Sequence, residues 1–322
     1  MTESTASTLV SVIITTHDRA QLLAATLEHL SHQETGNTSW ELLVVDNAST
    51  DPTPMVLAQA PRGLPLIPLQ ETRLGKNLAV NRALERARGE LLVFTDDDVI
   101  PAPDWIAELA AASRRWPEAE IFGGQTLVQY PQGTPEWLKT PWHGALNFAR
   151  YSLRQAEGPT RHLPHGPNFA LRAPALANLR FREDIGPRGN TEYAMGSETE
   201  LLRRLVARGA QIIYVPGATV WHVVQPHQLE PASLYRRAFR FGKGEVRKGE
   251  RFSEPGVTWF GAPHYLWGKL WYAAIRYLVY AFGGRQRRFE AGLQFHHLRG
   301  ALHEHRAQSR AGRRETAVEA AC

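Results

Sequence analysis

The stretch LLVFTDDDVIP, residues 91 to 101, runs from an apolar segment that reads as a buried strand straight into three aspartates, Asp96, Asp97 and Asp98. Neighbouring carboxylates repel and raise one another's pKa unless something positive compensates. A helix cap ahead of PDWIAELAAASRRW needs one acidic side chain, so three call for a counter-charge. The same punctuation recurs on the amino-terminal side. LVSVIITT (9 to 16) reads as a strand, RAQLLAATLEHLSHQ (19 to 33) as an amphipathic helix and WELLVVDN (40 to 47) as a second strand. A short strand, LPLIPLQ, follows, and GKNLAVNRALERARG (75 to 89) reads as a helix closed by Gly89 before ELLVFTDDD (90 to 98). This βαβαβ order predicts an α/β fold with a parallel sheet covered on both faces, where ligands bind beyond the carboxyl ends of the strands. Three such ends are polar: Thr15 to Asp18, Asp46 with Asn47, and Asp96 to Asp98. They are expected side by side on one rim, although Asp46 in DNASTDP also suits an Asx-turn or helix cap.

With 322 residues, 43% of them hydrophobic, the chain can bury a large core as one elaborated domain or a catalytic domain with an appendage. Its net charge of +5 favours an anionic partner such as a nucleotide, a nucleic acid or an acidic membrane. The single cysteine, Cys322, rules out a disulfide framework and points to a reducing, cytoplasmic setting. No basic region precedes the first apolar run, so a signal peptide is not expected. YLWGKLWYAAIRYLVYAF (265 to 282) contains Lys269 and Arg276, which are costly at a bilayer centre, and is not expected to span.

The aspartate excess argues for a divalent cation. Magnesium and manganese take one or two carboxylates and complete their shell with water and substrate phosphates. Asp96 and Asp98, two apart in extended backbone, can approach one ion from the same side, and a nucleotide diphosphate would supply the rest. Neither GxGxxG nor GxxxxGK[ST] occurs, so a dinucleotide fold and a P-loop are unsupported.

VSVIITTHDR, LLVVDNASTD, LGKNLAVNRALERARGELLVFTDDDV and GSETELLRRL resemble successive signatures of the family 2 glycosyltransferases, over roughly residues 9 to 225. That resemblance implies the GT-A fold, a Rossmann-like, mostly parallel sheet flanked by helices. Residues 1–228 would form the catalytic domain, with a nucleotide-binding half to about 100 and an acceptor half beyond. Residues 229–322 would form a basic, helical carboxyl-terminal region. The resemblance also implies inverting transfer from a nucleotide-sugar to a lipid-linked or small-molecule acceptor in envelope or glycoconjugate synthesis. The donor would be a UDP-sugar by default, with dTDP and GDP open, held through Mn2+ or Mg2+ at a DxD motif.

Carried over by residue, Thr15, His17, Asp18 and Arg19 would border the nucleotide, and Asp46, beside Asn47, would bond the base. Asp96 would face the ribose or a water on the metal; Asp98 and His222 would ligate the ion with Asp96 in support. Asp97 stays in the donor set but is expected to turn away from the metal. Asn81 matches the asparagine of the family's ARNxG helix, where Val80 replaces the arginine, and Lys76 or Arg82 is expected to stand in. A base must take the acceptor's proton. In YAMGSETELLRRLVARGA (193 to 210) Ser197 reads as a helix cap with Glu198 and Glu200 in the first turn, and the resemblance makes Glu198 the base and Glu200 its alternative.

His165 and Asn168, in RHLPHGPNFALRAPAL, are candidate acceptor contacts or parts of a turn-stabilised loop. Trp137 and Trp142 lie in a Pro-rich connection that suits a lid, an acceptor wall or plain packing. VPGATVWHV suggests a strand, a turn at Pro216 and Gly217, and a second strand ending at His222. From residue 231 the chain is basic, and Arg236, Arg237, Arg240 or Lys243 is expected to reach the diphosphate. The aromatic helix at 265 to 282, followed by Arg285, Arg287 and Arg288, suits peripheral contact with the inner membrane face, a homodimer contact or packing on the catalytic domain. A nucleic-acid-binding protein leaves the carboxylates unexplained, so no nucleic acid is expected. Other rivals are a degenerate nucleotide-sugar-binding protein and a glycosidase, which needs no metal beside its carboxylates.

Overall fold

The computed structural model describes residues 9–189, 192–252 and 256–319, with side chains described as far as 311. It divides into two units, one formed by residues up to Glu183 with Ser197–Gln225, the other by Asp184–Gly196 with Pro226 onward. The first unit is a sheet flanked by helices. Strands β1 (Val10–Thr16), β2 (Trp40–Asp46), β3 (Leu66–Gln70) and β4 (Leu91–Phe94) lie parallel in the order β3-β2-β1-β4. Val, Ile and Leu fill both faces because α1 (Ala20–Ser31) covers one and α3 (Lys76–Leu84) the other. On the far side of β4 the sheet becomes mixed: β8 (Phe169–Arg172) runs antiparallel to β4 and to β6 (Ile121–Gln129), which pairs in parallel with β9 (Ile212–Val223).

Three details differ from the sequence reading. Helix α3 stops at Leu84, and Gly89 is no cap. It donates its N–H to Ser11 Oγ (2.7 Å), and a β-carbon there would come within 2.4 Å of Ser11 N, so close approach to β1 demands glycine. The strand before the aspartates ends at Phe94, and the chain re-forms as β5 (Val99–Pro101), antiparallel to β9. Pro216 and Gly217 do not break β9 into two strands; they belong to a bulge within it where the register with β6 jumps between Gly124 and Gln125.

The second unit is helical: α8 (Pro231–Arg247), α9 (His264–Val279) and α10 (Arg285–Glu319). No helix among the described residues is long and apolar enough to cross a membrane.

Candidate active site

Strand register builds the site. Thr16 stands opposite Asp46, and the pairing of Ile13 with Phe94 brings Asp96 to Asp98 to the same rim, beside β1. Pairing of Val99 with His222, backed by a hydrogen bond from Val223 N to the Asp98 carbonyl (2.9 Å), delivers the histidine to the aspartates. Helix α5 (Pro141–Phe148) holds it from behind, for the Phe148 carbonyl is 2.9 Å from His222 Nδ1. That contact suits an Nδ1–H donor and leaves Nε2 facing Asp98 Oδ2 at 3.5 Å.

The counter-charge that the triple requires comes first from the protein. Arg19 forks across two carboxylates, Nη1 to Asp97 Oδ1 (2.6 Å) and Nη2 to Asp98 Oδ2 (2.5 Å). Thr16 Oγ1 donates to the other Asp97 oxygen (2.7 Å). Asp97 therefore turns inward, with a hydrogen bond to each of its carboxylate oxygens. Burial pushes its carboxyl up to about 6 against the pull of Arg19, and the Asp98 charge adds to the rise. Burial acts on Asp98 too, but the bond and charge of His222, with Arg19 behind them, outweigh it and hold Asp98 well below the usual carboxylate range. His222 is raised in turn, since Asp98 overcomes its burial.

Lys76 at the start of α3 supplies the second cation. Its Nζ lies 2.8 Å from Asp96 Oδ1 and 3.1 Å from Glu198 Oε1, joining strand end and helix α7 (Ser197–Val206). Burial disfavours the ammonium, but Asp96 and Glu198 overrule it and raise its pKa. Burial likewise raises Glu198, while Lys76 and a bond from Ser197 Oγ (3.3 Å) prevail and keep it below its ordinary value. Thr15, Lys76, Val80, Asp96, Gly166 and Glu198 line one small cavity. Gly166 is so close that a β-carbon there would lie 3.0 Å from Glu198 Oε1.

Other candidates have different work. Asn47 receives a bond from Gly75 N (2.8 Å) and donates to the carbonyls of Glu71 and Arg73, so it fixes the turn that presents Lys76. Asp46 Oδ1 accepts from Ser49 N (3.0 Å), three residues on, and so caps the turn that follows β2. Asp18, in the left-handed region at φ 50°, gathers Thr50 and Asp51, and His17 Nδ1 is 2.8 Å from the Asn47 carbonyl.

Asn81 does not face the cluster: its amide donates to the Phe181 carbonyl (2.9 Å) and accepts from Phe181 N (3.0 Å), pinning a loop. Arg82 pairs with Glu85, away from Lys76's cavity. Asn168 is fully buried, receiving Trp105 Nε1 (2.9 Å) and donating to the Gln125 and Ala218 carbonyls, so it is a core brace rather than an acceptor contact. Glu200 is held by Arg204 (2.8 Å), one turn along the same helix and apart from the Lys76 pair. His165 packs on Tyr151 (5.7 Å between ring centres) in the loop that carries Gly166. Trp142 is exposed against His143, with Trp137 on the same histidine. Thr26, unremarked in the sequence, places its hydroxyl 3.0 Å from the Asp97 and Val99 carbonyls and fixes the aspartate turn.

No three His, Cys, Asp or Glu side chains gather as a ready metal cage among the described residues. The donor set nevertheless fits a divalent ion that shares its shell with phosphate. Asp98 Oδ1 is buried without a hydrogen-bond partner, an orphan of the kind that awaits a ligand. Asp96, Asp97, Asp98 and Glu198 face Arg19 and Lys76, with His222 beside Asp98, so with all four ionised the cluster is short of one positive charge when His222 is protonated and of two when it is neutral.

In the second unit, Lys243 Nζ donates to the Glu192 carbonyl (2.5 Å) and Arg240 lies over the Tyr193 ring at 4.4 Å.

Comparison with known proteins identifies the family and the fold. The family model described as "Glycosyl transferase family 2" matches residues 11–180. Glycosyltransferase AglE of Haloferax volcanii is 24% identical over 241 residues, covering 74% of this chain and 73% of its own length. The N-acetylglucosaminyl-diphospho-decaprenol L-rhamnosyltransferase of Mycobacterium tuberculosis is 27% identical over 214 residues, covering 56% and 66%. Among solved structures, the Pyrobaculum calidifontis mannosyltransferase PcManGT, in complex with GDP-Man and Mn2+, superposes with a TM-score of 0.62 at 22% identity, over 93% of this chain and 88% of that one. TarS of S. aureus with UDP-GlcNAc gives 0.53 at 16% identity, over 94% and 92%. These likenesses establish a GT-A architecture, and with the family model's span the chain belongs to glycosyl transferase family 2.

Proposed function

We propose that the protein is a metal-dependent, inverting glycosyltransferase that moves a sugar from a nucleotide-diphosphate donor to a lipid-linked or small-molecule acceptor in envelope or glycoconjugate synthesis. The observation that carries this reading is the buried, unpartnered Asp98 Oδ1 beside His222, in a cluster where carboxylates outnumber cations. Asp98 and His222 would hold Mn2+ or Mg2+, with Asp96 alongside, and the ion would neutralise charge on the diphosphate. The nucleotide would lie along the rim from Thr15 to Arg19 and Asp46. Lys76 would take the place of the family's missing arginine, since it lines the cavity one helical turn before Val80.

Chemistry then falls to Glu198. The acceptor oxygen attacks the anomeric carbon as the bond to the diphosphate oxygen breaks, and the acceptor's proton passes to the Glu198 carboxylate. Lys76 keeps that carboxylate ionised before the acceptor arrives. The loop at His165 and Gly166 would border the acceptor. The outer face of α9 exposes Trp271, Ile275 and Leu278, with Phe282, Arg285, Arg287 and Arg288 beyond it, and this basic, apolar surface suits peripheral contact with anionic lipid.

Glu198→Gln tests the assignment. Turnover should fall by about 10²-fold or more while nucleotide binding persists, in line with the contribution of a general base. Unchanged turnover removes Glu198 as base, and a wild type that binds donor but never transfers favours a degenerate binder.

A further inference from the structure

We infer that the helical unit contains a binding cleft for a phosphorylated amphiphile, a molecule with a phosphate head on an apolar chain. The cleft has a volume of about 680 Å3, within the range of small-molecule sites. Its lining is divided by chemistry. Tyr235, Phe239, Leu270 and Leu302 give an apolar side, and Arg236, Arg299, Arg306 and Arg310 a basic one.

The arginines of α10 share a face because residues 299, 306 and 310 are seven and four apart. No described carboxylate lies within ion-pair distance of any of the four. The only acid in the lining, Glu192, is 4.0 Å from His303, which also borders the cleft. Arg236 donates to the Ser233 hydroxyl (3.0 Å), and Arg299 lies 3.3 Å from His296 Nδ1 and over the Phe239 and Phe295 rings (6.0 and 5.7 Å). Like charges on one wall repel, and a phosphate relieves them through guanidinium forks.

The apolar wall is preformed. Tyr235 stacks on His296 at 4.8 Å with 6° between planes, seated over Gly292, where a β-carbon would come within 2.5 Å of its ring. Gly242 and Gly300 let α8 and α10 meet at backbone distance, since a β-carbon at either would collide with the carbonyl of His297 or Phe239. An aromatic wall beside arginines that have no carboxylate partner among the described residues selects for an anionic head and an apolar tail in one molecule. A bare anion would leave the apolar wall unused, and a neutral lipid would leave the arginines uncompensated. The inference rests on this unit alone and goes beyond the sugar-transfer reading.

Calorimetric titration of the full chain with decyl phosphate below its micelle concentration tests it, with decanol and inorganic phosphate as separate arms. Decyl phosphate should bind at least tenfold more tightly than either, and Arg299→Gln/Arg306→Gln should weaken it by about tenfold or more, the scale of one lost charged hydrogen bond. Arg306→Gln/Arg310→Gln should do the same, so the test survives misfolding of one variant, and far-ultraviolet circular dichroism confirms the fold of each. Equal affinity for inorganic phosphate, or undiminished decyl phosphate binding in folded variants, would overturn the proposal. Nucleotide binding measured on the same variants is expected to be unaltered, which separates failure of this inference from failure of the transferase reading.

Discussion

Replacing Lys76 by Met removes the ammonium that lies 2.8 Å from Asp96 and 3.1 Å from Glu198. The three side chains are only 21–27% exposed, so solvent replaces little of the lost interaction. A charged hydrogen bond of this kind contributes about 1.5–3 kcal/mol, and its loss raises the pKa of the carboxylate left behind. In the wild type Glu198 is held below its ordinary 4.5 and stays ionised throughout the neutral range. In the variant its pKa should rise, so the acid limb of kcat/KM against pH, which would report the free enzyme's base, moves to higher pH. The sign for stability follows from the same shifts. Glu198, depressed in the folded state, stabilises above pH 4.5 and loses that contribution as pH falls through its folded value. Lys76, raised, contributes below its ordinary 10.5 and loses the contribution as pH rises through its higher folded value. The stability gap between wild type and variant, read by urea unfolding, should therefore be widest between about pH 5 and 10 and narrow in acid. An acid limb that stays in place, or moves to lower pH, refutes the assignment of Lys76 as the group that keeps Glu198 ionised.

Arg19→Met leaves two adjacent buried carboxylates without their fork and should cost about 3–5 kcal/mol in urea unfolding, the usual penalty for stripping one partner from a buried pair. A loss under about 1 kcal/mol would show that Asp97 and Asp98 are balanced by something else. Asn168→Ala orphans the Trp105 indole N–H and two carbonyls and should destabilise by about 3 kcal/mol. Its kcat/KM should stay within about threefold of wild type, the behaviour of a packing residue, whereas a large loss of kcat/KM in folded protein would restore Asn168 to the acceptor site.

The rim was legible because apolar runs locate strands, and parallel sheets place their ligands at strand ends. That logic placed Asp46, Asp96 and Asp98 on one rim without any contact information. It could not see that the cation serving Asp97 and Asp98 is Arg19, 78 and 79 residues away, so the whole counter-charge fell to a metal. Nor could it recognise Asn81 and Asn168 as braces, since their backbone partners lie 43 to 100 residues away and an amide that caps a loop has the same sequence signature as one that binds a ligand. Val99–Pro101 escaped notice because three residues give no periodicity, yet this short strand is what brings His222 to Asp98. The segment 184–196, read as part of the catalytic domain, belongs to the helical unit because Met195 N bonds the Arg240 carbonyl and Gly244 meets the Met195 backbone.

The central claim is that the carboxylate cluster is completed by a divalent ion and a donor diphosphate together. Thermal unfolding with a panel of nucleoside diphosphates, with manganese or with chelator, addresses it most directly, because a ligand at 100 times its Kd stabilises by about 2.7 kcal/mol. The account predicts a rise in Tm for at least one nucleotide that appears with manganese, disappears with chelator, and is absent in Asp98→Asn. A rise of equal size in chelator, or none with any nucleotide, would contradict it.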